Sequence, residues 1–220
     1  MYRIAVLASG RGSNLRAILE ASQRGELAAS VVGVFSDKPA CGAIALAREA
    51  NVATVALLPR NYPSRDAFDE SLFNEIAAVQ PDLIVCAGYM RIIGEDSVRK
   101  FEDRMINLHP SLLPKYPGLD TYARALADGA SEHGSSVHRV IPALDAGPVL
   151  AQVRVPVLPG DDAEALAQRT QAREHPLLLA CLRALAGGRM RLGPGQPRYD
   201  DQPIVAPLRL NSNDQLEWAA

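Results

Sequence analysis

The sequence predicts an α/β fold, with a Rossmann-like, mostly parallel sheet that is flanked by helices on both faces. Short apolar runs alternate with longer amphipathic segments through the first hundred residues. The apolar runs lack strict alternation of polar and apolar positions, as expected of strands buried on both faces. Connections of roughly ten residues or more between successive runs indicate right-handed crossovers between parallel strands.

The predicted elements of the first half follow this order regularly. Runs such as IAVLAS and VVGVFS have the length and composition of buried strands, and the segments between them have helical periodicity. The predicted strands are 4–9, 31–36, 53–58, 83–88 and 104–109, and the predicted helices are 14–25, 42–51 and 64–80.

The second half departs from this alternation. A helix is predicted at 121–130, and strands at 135–141 and 147–157 are joined by the short segment PALDA, which indicates an antiparallel addition to the sheet. Residues 161–188 predict one long helix or two. Asp161 or Asp162 is the expected N-cap of this helix, and Gly187 and Gly188 are its stop signal. The tail from residue 190 is expected to form surface strand and coil.

The composition excludes several classes of protein. The chain has 220 residues, a net charge of −2 and 48% hydrophobic residues, and it has no basic block that would indicate a nucleic-acid partner. No apolar run reaches the roughly 18 residues of a membrane span, and the first run is too short for a signal peptide. Cys41, Cys86 and Cys181 lie far apart without a CxxC pair. We therefore expect a cytoplasmic protein with no membrane partner, no disulfide framework and no metal site.

A stiff polar segment, INLHPSLLPKYPG, ends the fifth predicted strand. Asn107 and His109 are two positions apart, so on a strand their side chains project from the same face. The prolines at 110, 114 and 117 remove backbone donors and fix φ, so the strand cannot continue. The segment therefore presents an amide and an imidazole on a rigid scaffold.

Asn107, His109 and Asp145 form a set that suits acyl transfer. An amide donor and an imidazolium stabilise an oxyanion, and a carboxylate holds the imidazole charged. The chain has neither the GxSxG motif of a serine nucleophile nor the HExxH spacing of a zinc site. Direct transfer to a bound nucleophile fits better than a covalent intermediate, although a lone Asp in a turn is also a common turn former.

The segment SGRGSNL, at 9–15, follows the first strand and opens the first helix. Its glycines allow close approach of the backbone to a ligand, and a helix N-terminus favours an anion. A P-loop motif is absent, and Leu15 stands where a dinucleotide fingerprint needs its third glycine. Asp37 resembles the acid that binds the ribose in dinucleotide-binding folds. A nicotinamide cofactor therefore remains an alternative, as does a tight turn that binds no ligand.

The segment GYMRIIG, at 88–94, follows the fourth strand and lies at the same edge of the sheet. Open α/β folds bind ligands at this edge. The apolar side chains and free backbone groups of the segment suit a heteroaromatic ring. Loop packing alone is the competing interpretation.

Three longer stretches, NLHPSLLPKYPG, EHGSSVHRV and LDAGPVLAQ, together resemble the signature of the 10-formyltetrahydrofolate-dependent formyltransferases. ASGRGSNL and QAREH narrow the resemblance to the members that formylate 5'-phosphoribosylglycinamide in de novo purine biosynthesis. The similarity runs from about residue 2 to residue 190. It implies 10-formyltetrahydrofolate as co-substrate and phosphoribosylglycinamide as acceptor, without a metal, and it allows a homodimer.

The resemblance implies a role for each matching position. Asn107, His109 and Asp145 correspond to the catalytic triplet. The residues implied in binding the acceptor are Gly12, Ser13, Asn14, Gln171 and Glu174. The residues implied in binding the folate are Arg65, Met90, Arg91, Ile92, Ile93, Asn107, Ile141, Pro142, Ala143 and Leu144. We expect one domain over 1–189, with a phosphate-binding half at 1–103 and a catalytic and folate-binding half at 104–189, followed by the tail at 190–220.

Three positions depart from the pattern of the family. Asp120 and Tyr122 stand where bacterial relatives often have histidines, and near the cleft they would alter pH dependence and product release. Arg173 replaces a glutamine, and it either adds a phosphate contact or is a solvated helix residue.

Other functions remain as alternatives. A methionyl-tRNA formyltransferase would need a further carboxyl-terminal domain and a basic surface, and a formyltetrahydrofolate deformylase usually carries an amino-terminal regulatory domain. We expect neither, because the first strand begins at residue 4 and the chain ends early with a net negative charge. A folate- or nucleotide-binding module without turnover would not need the triplet.

Overall fold

The computed structural model describes residues 1–219 and divides into two units, Met1–Asn107 and Leu108–Ala220. In the first unit, five parallel strands lie in the order β3-β2-β1-β4-β5. The strands are β1 (Tyr2–Leu7), β2 (Ala29–Ser36), β3 (Thr54–Ala56), β4 (Leu83–Cys86) and β5 (Met105–His109), whose last two residues begin the second unit. The helices are α1 (Ser13–Gln23), α2 (Gly42–Glu49), α3 (Arg65–Ala78) and α4 (Glu95–Lys100), and a short 3-10 helix spans Pro59–Asn61.

The core of the first unit explains why these segments form strands and helices. Ile4, Val6, Ile84 and Val85 are completely buried in the two central strands, β1 and β4. Such strands are covered on both faces, which accounts for their continuous apolar runs. The N-cap of helix α3 is Ser64, whose hydroxyl oxygen accepts a hydrogen bond from the backbone N–H of Ala67 at 3.1 Å.

The strand order reverses at β1, since β2 and β3 lie on one side of it and β4 and β5 on the other. Ligands of open α/β sheets bind at the carboxyl ends of the strands beside such a reversal. The segments SGRGSNL and GYMRIIG follow β1 and β4, so both are at this place. They are also in contact, because the backbone N–H of Ser9 donates to the carbonyl oxygen of Gly88 at 3.0 Å.

The second unit is built on an antiparallel pair. Strands β6 (Glu132–Arg139) and β7 (Val149–Pro156) pair antiparallel, with a shift of register between Val137 and His138. The other elements are α5 (Thr121–Ala127), α6 (Ala163–Ala186), β8 (Met190–Arg191), β9 (Arg198–Tyr199), β10 (Gln202–Pro203), β11 (Leu208–Leu210) and β12 (Leu216–Glu217). Strand β11 lies parallel to β7 and β12 antiparallel to β11, while β8, β9 and β10 form a small separate antiparallel sheet.

The mostly parallel α/β fold is therefore confirmed. Residues 161–188 contain one helix, α6, whose N-cap is Asp162: its carboxylate accepts from the N–H of Ala165 at 2.8 Å. Pro176 lies inside α6 and removes one backbone hydrogen bond, yet the helix continues because Leu177 and Leu178 beyond it are fully buried. The six-residue helix α4 was not predicted. The description of 1–189 as one domain stays a prediction.

The tail is packed more closely than its composition indicates. The guanidinium of Arg139 donates from Nη1 to the carbonyl oxygens of Gly193 and Gly195, at 2.8 and 2.9 Å. Beyond this loop, β11 extends the sheet through its pairing with β7. None of the helices within residues 1–219 is both long and apolar enough to span a membrane.

Candidate active site

Strand β5 carries the first two residues of the predicted triplet. Asn107 pairs in register with Cys86 of β4, and His109 is the last residue of β5. Residues two apart on a strand project from the same face, so the two side chains leave β5 on one side. Pro110 follows at once and cannot donate to a neighbouring strand, which ends β5 at the imidazole.

The imidazole of His109 is buried and held at both ring nitrogens. Its Nε2 lies 2.9 Å from the backbone carbonyl oxygen of Tyr116. A carbonyl oxygen only accepts, so the hydrogen-bond network assigns a proton to Nε2. Its Nδ1 lies 3.4 Å from Oδ2 of Asp145. The side chains of His109 and Asp145 are each only 7% exposed, so water screens this pair weakly.

Asp145 lies between two histidines. Its Oδ1 is 3.5 Å from Nε2 of His138, and its Oδ2 accepts a hydrogen bond from the backbone N–H of Gly118 at 2.8 Å. Burial raises the pKa of Asp145, but the hydrogen bonds from His138 and Gly118 and the nearby imidazole of His109 outweigh it, and the net pKa is below the usual value. The carboxylate is therefore ionised at neutral pH.

No role for His138 was predicted from the sequence. The structure places it at the register shift of β6, and its Nδ1 lies 3.1 Å from the carbonyl oxygen of Arg139. A bulge re-aims a side chain and is common beside active sites. The histidine itself was the available signal, but its partner, Asp145, comes from a different segment.

The burial of the His109 ring opposes the imidazolium expected there from the sequence. Burial lowers the pKa of His109, against the opposing influence of the Tyr116 carbonyl and the Asp145 charge, and the net pKa is below its usual value of 6.5. An imidazolium during the reaction stays a prediction.

We expect the NMR titration of His109 to have its midpoint below 6.5 and the Asp145→Asn variant to lower it further. The substitution removes a negative charge that favours the protonated ring. Asp96→Asn, which removes an exposed carboxylate from α4, is the matched control and is expected to leave the midpoint unchanged. An unchanged midpoint in Asp145→Asn would show that the carboxylate does not act on the ring.

The acceptor residues predicted in the first unit lie at the start of α1. Gly12 is the N-cap residue in the left-handed region, with φ 83°, and a Cβ there would lie 2.8 Å from Cα of Ala43. Gly12 is thus required by packing against α2, whereas a Cβ on Gly10 would meet nothing within 4 Å. Ser13 is exposed and Asn14 half-buried in the first turn, where backbone N–H groups without helical partners favour an anion.

The acceptor residues predicted in the second unit lie one turn apart on α6. Gln171 is exposed, whereas Glu174 is 8% exposed and accepts a hydrogen bond from the hydroxyl of Ser135 at 2.9 Å. Burial raises the pKa of Glu174, and the Ser135 hydroxyl partly offsets this effect. This buried carboxyl group is suited to accept hydrogen bonds from hydroxyl groups of a ligand.

Arg173, between these two residues, is bound to the tail. Its Nη1 lies 3.0 Å from a carboxylate oxygen of Asp214, and its Nη2 donates to the carbonyl oxygen of Asn211 at 3.1 Å. Arg173, one of the departures from the family pattern, therefore contacts the tail. This contact is neither the phosphate contact nor the solvated side chain that the sequence left open.

Because the guanidinium is engaged with the tail, we expect Arg173→Gln to leave KM for the phosphorylated acceptor within about twofold. A half-exposed ion pair contributes roughly 0–1 kcal/mol, so the melting temperature should fall by only about 1–3 °C. Steady-state kinetics and a thermal melt check both values, with Arg209→Gln, at the exposed position of β11, as control. A tenfold rise in KM would instead place Arg173 in the phosphate site.

The folate residues predicted in the first unit follow β4 and open α3. Met90 and Ile92 are 64% and 56% exposed, Arg91 and Ile93 are partly buried, and the side chain of Arg65 is 54% exposed. The guanidinium of Arg91 lies over the buried ring of Phe68, 5.1 Å from its centroid. The loop thus holds apolar side chains at the surface, as a site for an aromatic ligand requires.

The folate residues predicted in the second unit form the loop between β6 and β7. Pro142, Ala143 and Leu144 are exposed, and Ile141 is partly buried. Asp145 follows them in the same loop, and its φ of 49° is in the left-handed region. The loop therefore joins the predicted folate contacts directly to the carboxylate of the predicted triplet.

The two remaining departures lie in and beside α5. Asp120 is its N-cap residue, with φ 57°, and its side chain makes no capping hydrogen bond. The ring of Tyr122 packs edge-on against His133, with the centroids 5.1 Å apart, and burial raises the pKa of its hydroxyl. His133 is 1% exposed and hydrogen-bonded through Nε2 to the carbonyl oxygen of Pro110 at 3.0 Å. Tyr122 therefore packs against a histidine that supports the stiff segment.

Within residues 1–219, no cluster of three or more histidine, cysteine, aspartate or glutamate side chains is arranged to hold a metal ion. The group with converging titratable side chains is the one formed by His109, Asp145 and His138. Its imidazole N–H is a donor of the kind that stabilises an oxyanion, and its buried carboxylate favours the protonated imidazole.

Comparisons with known proteins identify the family of the chain. The sequence model of the family described as formyl transferase matches residues 2–182. Phosphoribosylglycinamide formyltransferase of Escherichia coli (strain K12) is 42% identical over 201 residues, which cover 91% of this chain and 95% of the relative. The protein of the same name from Mycobacterium tuberculosis (strain ATCC 25618 / H37Rv) is 46% identical over 184 residues, covering 84% and 85%.

Solved structures give the same result. The structure of phosphoribosylglycinamide formyltransferase in complex with CHES from Coxiella burnetii matches with a TM-score of 0.87 and 42% identity, covering 92% of this chain and 95% of that chain. Glycinamide ribonucleotide transformylase 1 from Symbiobacterium toebii matches with a TM-score of 0.86 and 40% identity, covering 90% and 94%. The chain therefore belongs to the formyl transferase family, among the phosphoribosylglycinamide formyltransferases.

Proposed function

We propose that this chain transfers the formyl group of 10-formyltetrahydrofolate to the amine of 5'-phosphoribosylglycinamide, a step of de novo purine biosynthesis. The observation that carries the proposal is the buried contact between His109 and Asp145, at 3.4 Å, with Asn107 two residues earlier on β5. Membership of the formyl transferase family supports the reaction class.

The reaction is proposed to be a direct attack. The amine nitrogen forms a bond to the formyl carbon, and the electron pair of the carbonyl π bond moves to the formyl oxygen. The amine then loses a proton, N10 of the folate gains one, and the bond between the formyl carbon and N10 breaks as the carbonyl re-forms. No covalent enzyme intermediate is needed.

Asn107 and His109 are proposed to stabilise the negative charge on the formyl oxygen. The Nε2 proton of His109 exchanges the Tyr116 carbonyl oxygen for the formyl oxygen as the substrates bind. The developing negative charge raises the pKa of the ring, and Asp145 favours its protonated form. A preorganised donor of this kind typically contributes about 10²–10³ in turnover.

The acceptor is proposed to bind through both sets of predicted residues. The free N–H groups of Gly12, Ser13 and Asn14 at the start of α1 suit its phosphate, since a helix N-terminus attracts anions. Gln171 and the buried carboxyl group of Glu174 suit its polar ribosyl part.

The folate is proposed to bind at the two loops that carry exposed apolar side chains. The loop after β4 offers Met90, Arg91, Ile92 and Ile93, and the loop after β6 offers Ile141, Pro142, Ala143 and Leu144. Arg65, half-exposed at the start of α3, suits a carboxylate of the folate. We also propose a cytoplasmic location and a homodimer.

The test is a steady-state assay with 10-formyltetrahydrofolate, with and without phosphoribosylglycinamide. We expect loss of formyl folate only when the acceptor is present. Equal loss without acceptor would mean a hydrolase, and no loss in either tube would contradict the reaction as proposed. Ser13→Ala tests the acceptor site in the same assay, because it removes an exposed hydroxyl that is proposed to donate to the phosphate beside the backbone N–H groups. It should raise KM for the acceptor and leave KM for the folate unchanged.

A further inference from the structure

The loop after β4 is held at its first residues by a chain of buried hydrogen bonds. The hydroxyl oxygen of Ser9 accepts from the backbone N–H of Met90 at 3.0 Å. The same hydroxyl donates a hydrogen bond to Oδ1 of Asp37 at 2.6 Å. Ser9 and Asp37 are 5% and 6% exposed, so neither group is free to exchange this partner for water. The Asp37 carboxylate therefore orients the Ser9 hydroxyl, which in turn fixes Met90.

The last residue of the loop is held by a different carboxylate. Oδ2 of Asp69, on α3, accepts a hydrogen bond from the backbone N–H of Gly94 at 2.7 Å. Asp69 is 1% exposed, and its Oδ1 is buried without a hydrogen-bond partner. A buried carboxylate is costly unless it is well compensated. We therefore infer that Asp69 has a role at this loop beyond packing.

The loop between these two contacts has no regular secondary structure. Its side chains at Met90 and Ile92 are mostly exposed, so burial does not fix its conformation. A loop with few buried apolar contacts opens at low free-energy cost. Besides the packing of Arg91 on Phe68, the side-chain contacts at the two ends, from Ser9 and Asp69, therefore favour the conformation seen here.

We propose that Ser9, Asp37 and Asp69 are positioning residues for folate binding, because they hold both ends of the loop 90–94 in its binding conformation. This inference rests on the proposed function. A ligand that binds one conformation has an apparent affinity reduced by the fraction of protein in that conformation. The three residues are expected to act on folate affinity and not on the chemical step, because they are not among the residues proposed to contact the formyl group.

The kinetic test compares variants that lose the contact with variants that keep an oxygen acceptor. Ser9→Ala, Asp37→Ala and Asp69→Ala should each raise KM for 10-formyltetrahydrofolate by about tenfold, as expected if the competent fraction falls to roughly a tenth. kcat and KM for the acceptor should stay within about twofold. Asp37→Asn and Asp69→Asn should restore most of the affinity, because an amide oxygen accepts the same hydrogen bonds. Glu75→Gln, exposed on α3, is the control.

Amide hydrogen exchange tests the contacts without any substrate. In Ser9→Ala the N–H of Met90 should lose protection, and in Asp69→Ala the N–H of Gly94 should lose it, while amides of β1 keep theirs. Unchanged protection, or lost protection with an unchanged KM for the folate, would overturn the inference.

If the wild-type protein transfers no formyl group, the proposed function fails. The dissociation constant of tetrahydrofolate, measured by calorimetry, then replaces KM as the test of positioning.

Discussion

Replacing Asn107 or His109 with alanine is expected to lower kcat by about 10²–10³-fold, as measured for the loss of one oxyanion donor in other enzymes. Each substitution removes a donor that is proposed to act on the formyl oxygen as charge develops there. An interaction that is made only in the transition state affects kcat as well as kcat/KM. Steady-state kinetics at saturating folate and acceptor measure the effect.

The controls separate loss of a donor from loss of fold. His109 is 6% exposed, so His109→Ala leaves a cavity, and a thermal melt must show that the variant is folded at the assay temperature. Asn61→Ala, which truncates an exposed asparagine of the 3-10 helix, should keep full turnover. Near-normal turnover in either site variant would refute its proposed role.

Replacing Gly147 with alanine is expected to destabilise the second unit by at least about 2 kcal/mol and to remove most of the activity. A Cβ at this position would lie 1.8 Å from the carbonyl oxygen of Arg139, which no backbone adjustment of ordinary size relieves. That carbonyl oxygen is also next to Nδ1 of His138, at 3.1 Å. The displaced loop would carry Asp145 away from both histidines.

Urea unfolding and the formyl-transfer assay measure these two effects. Ala146→Ser, which enlarges the exposed neighbouring residue, is the stability control and should change the free energy of unfolding by less than about 0.5 kcal/mol. If Gly147→Ala were as stable as the wild type, the close approach of the two backbone segments would not exist in solution.

The fold could be predicted from the sequence because its signals are local. Strand β4 and residues 4–7 of β1 are buried on both faces, and this leaves uninterrupted apolar runs. Helix α4 was missed because it has only six residues, too few to show a helical period. The two-residue strands of the tail have no periodic signal either, and they form by pairing with one another or with β11.

Only part of the site could be predicted from the sequence, because only some of its residues are close together in the chain. Asn107 and His109 are recognisable because they share one strand and precede a proline. The contact between His138 and Asp145 depends on a register shift in β6 and on a loop that returns to it, which no short pattern encodes. The low pKa of His109 follows from burial, a property of the folded chain.

At Arg173 the resemblance to the family did not predict the contact that the structure shows. At this position the sequence left open a phosphate contact or a solvated side chain. The structure gives the guanidinium two partners in the hairpin of β11 and β12, which lies outside the residues matched by the family model. A substitution inside a matched motif can thus serve a segment that the motif does not cover.

The most direct test of the account is the fate of a labelled formyl carbon. The protein is mixed with [¹³C]formyl-tetrahydrofolate and phosphoribosylglycinamide in a single turnover, and the products are resolved by ¹³C NMR. We predict that the label appears on the amine of the acceptor, at a rate that falls by about 10²-fold or more in His109→Ala. Label recovered as formate, or on the protein itself, would contradict direct transfer.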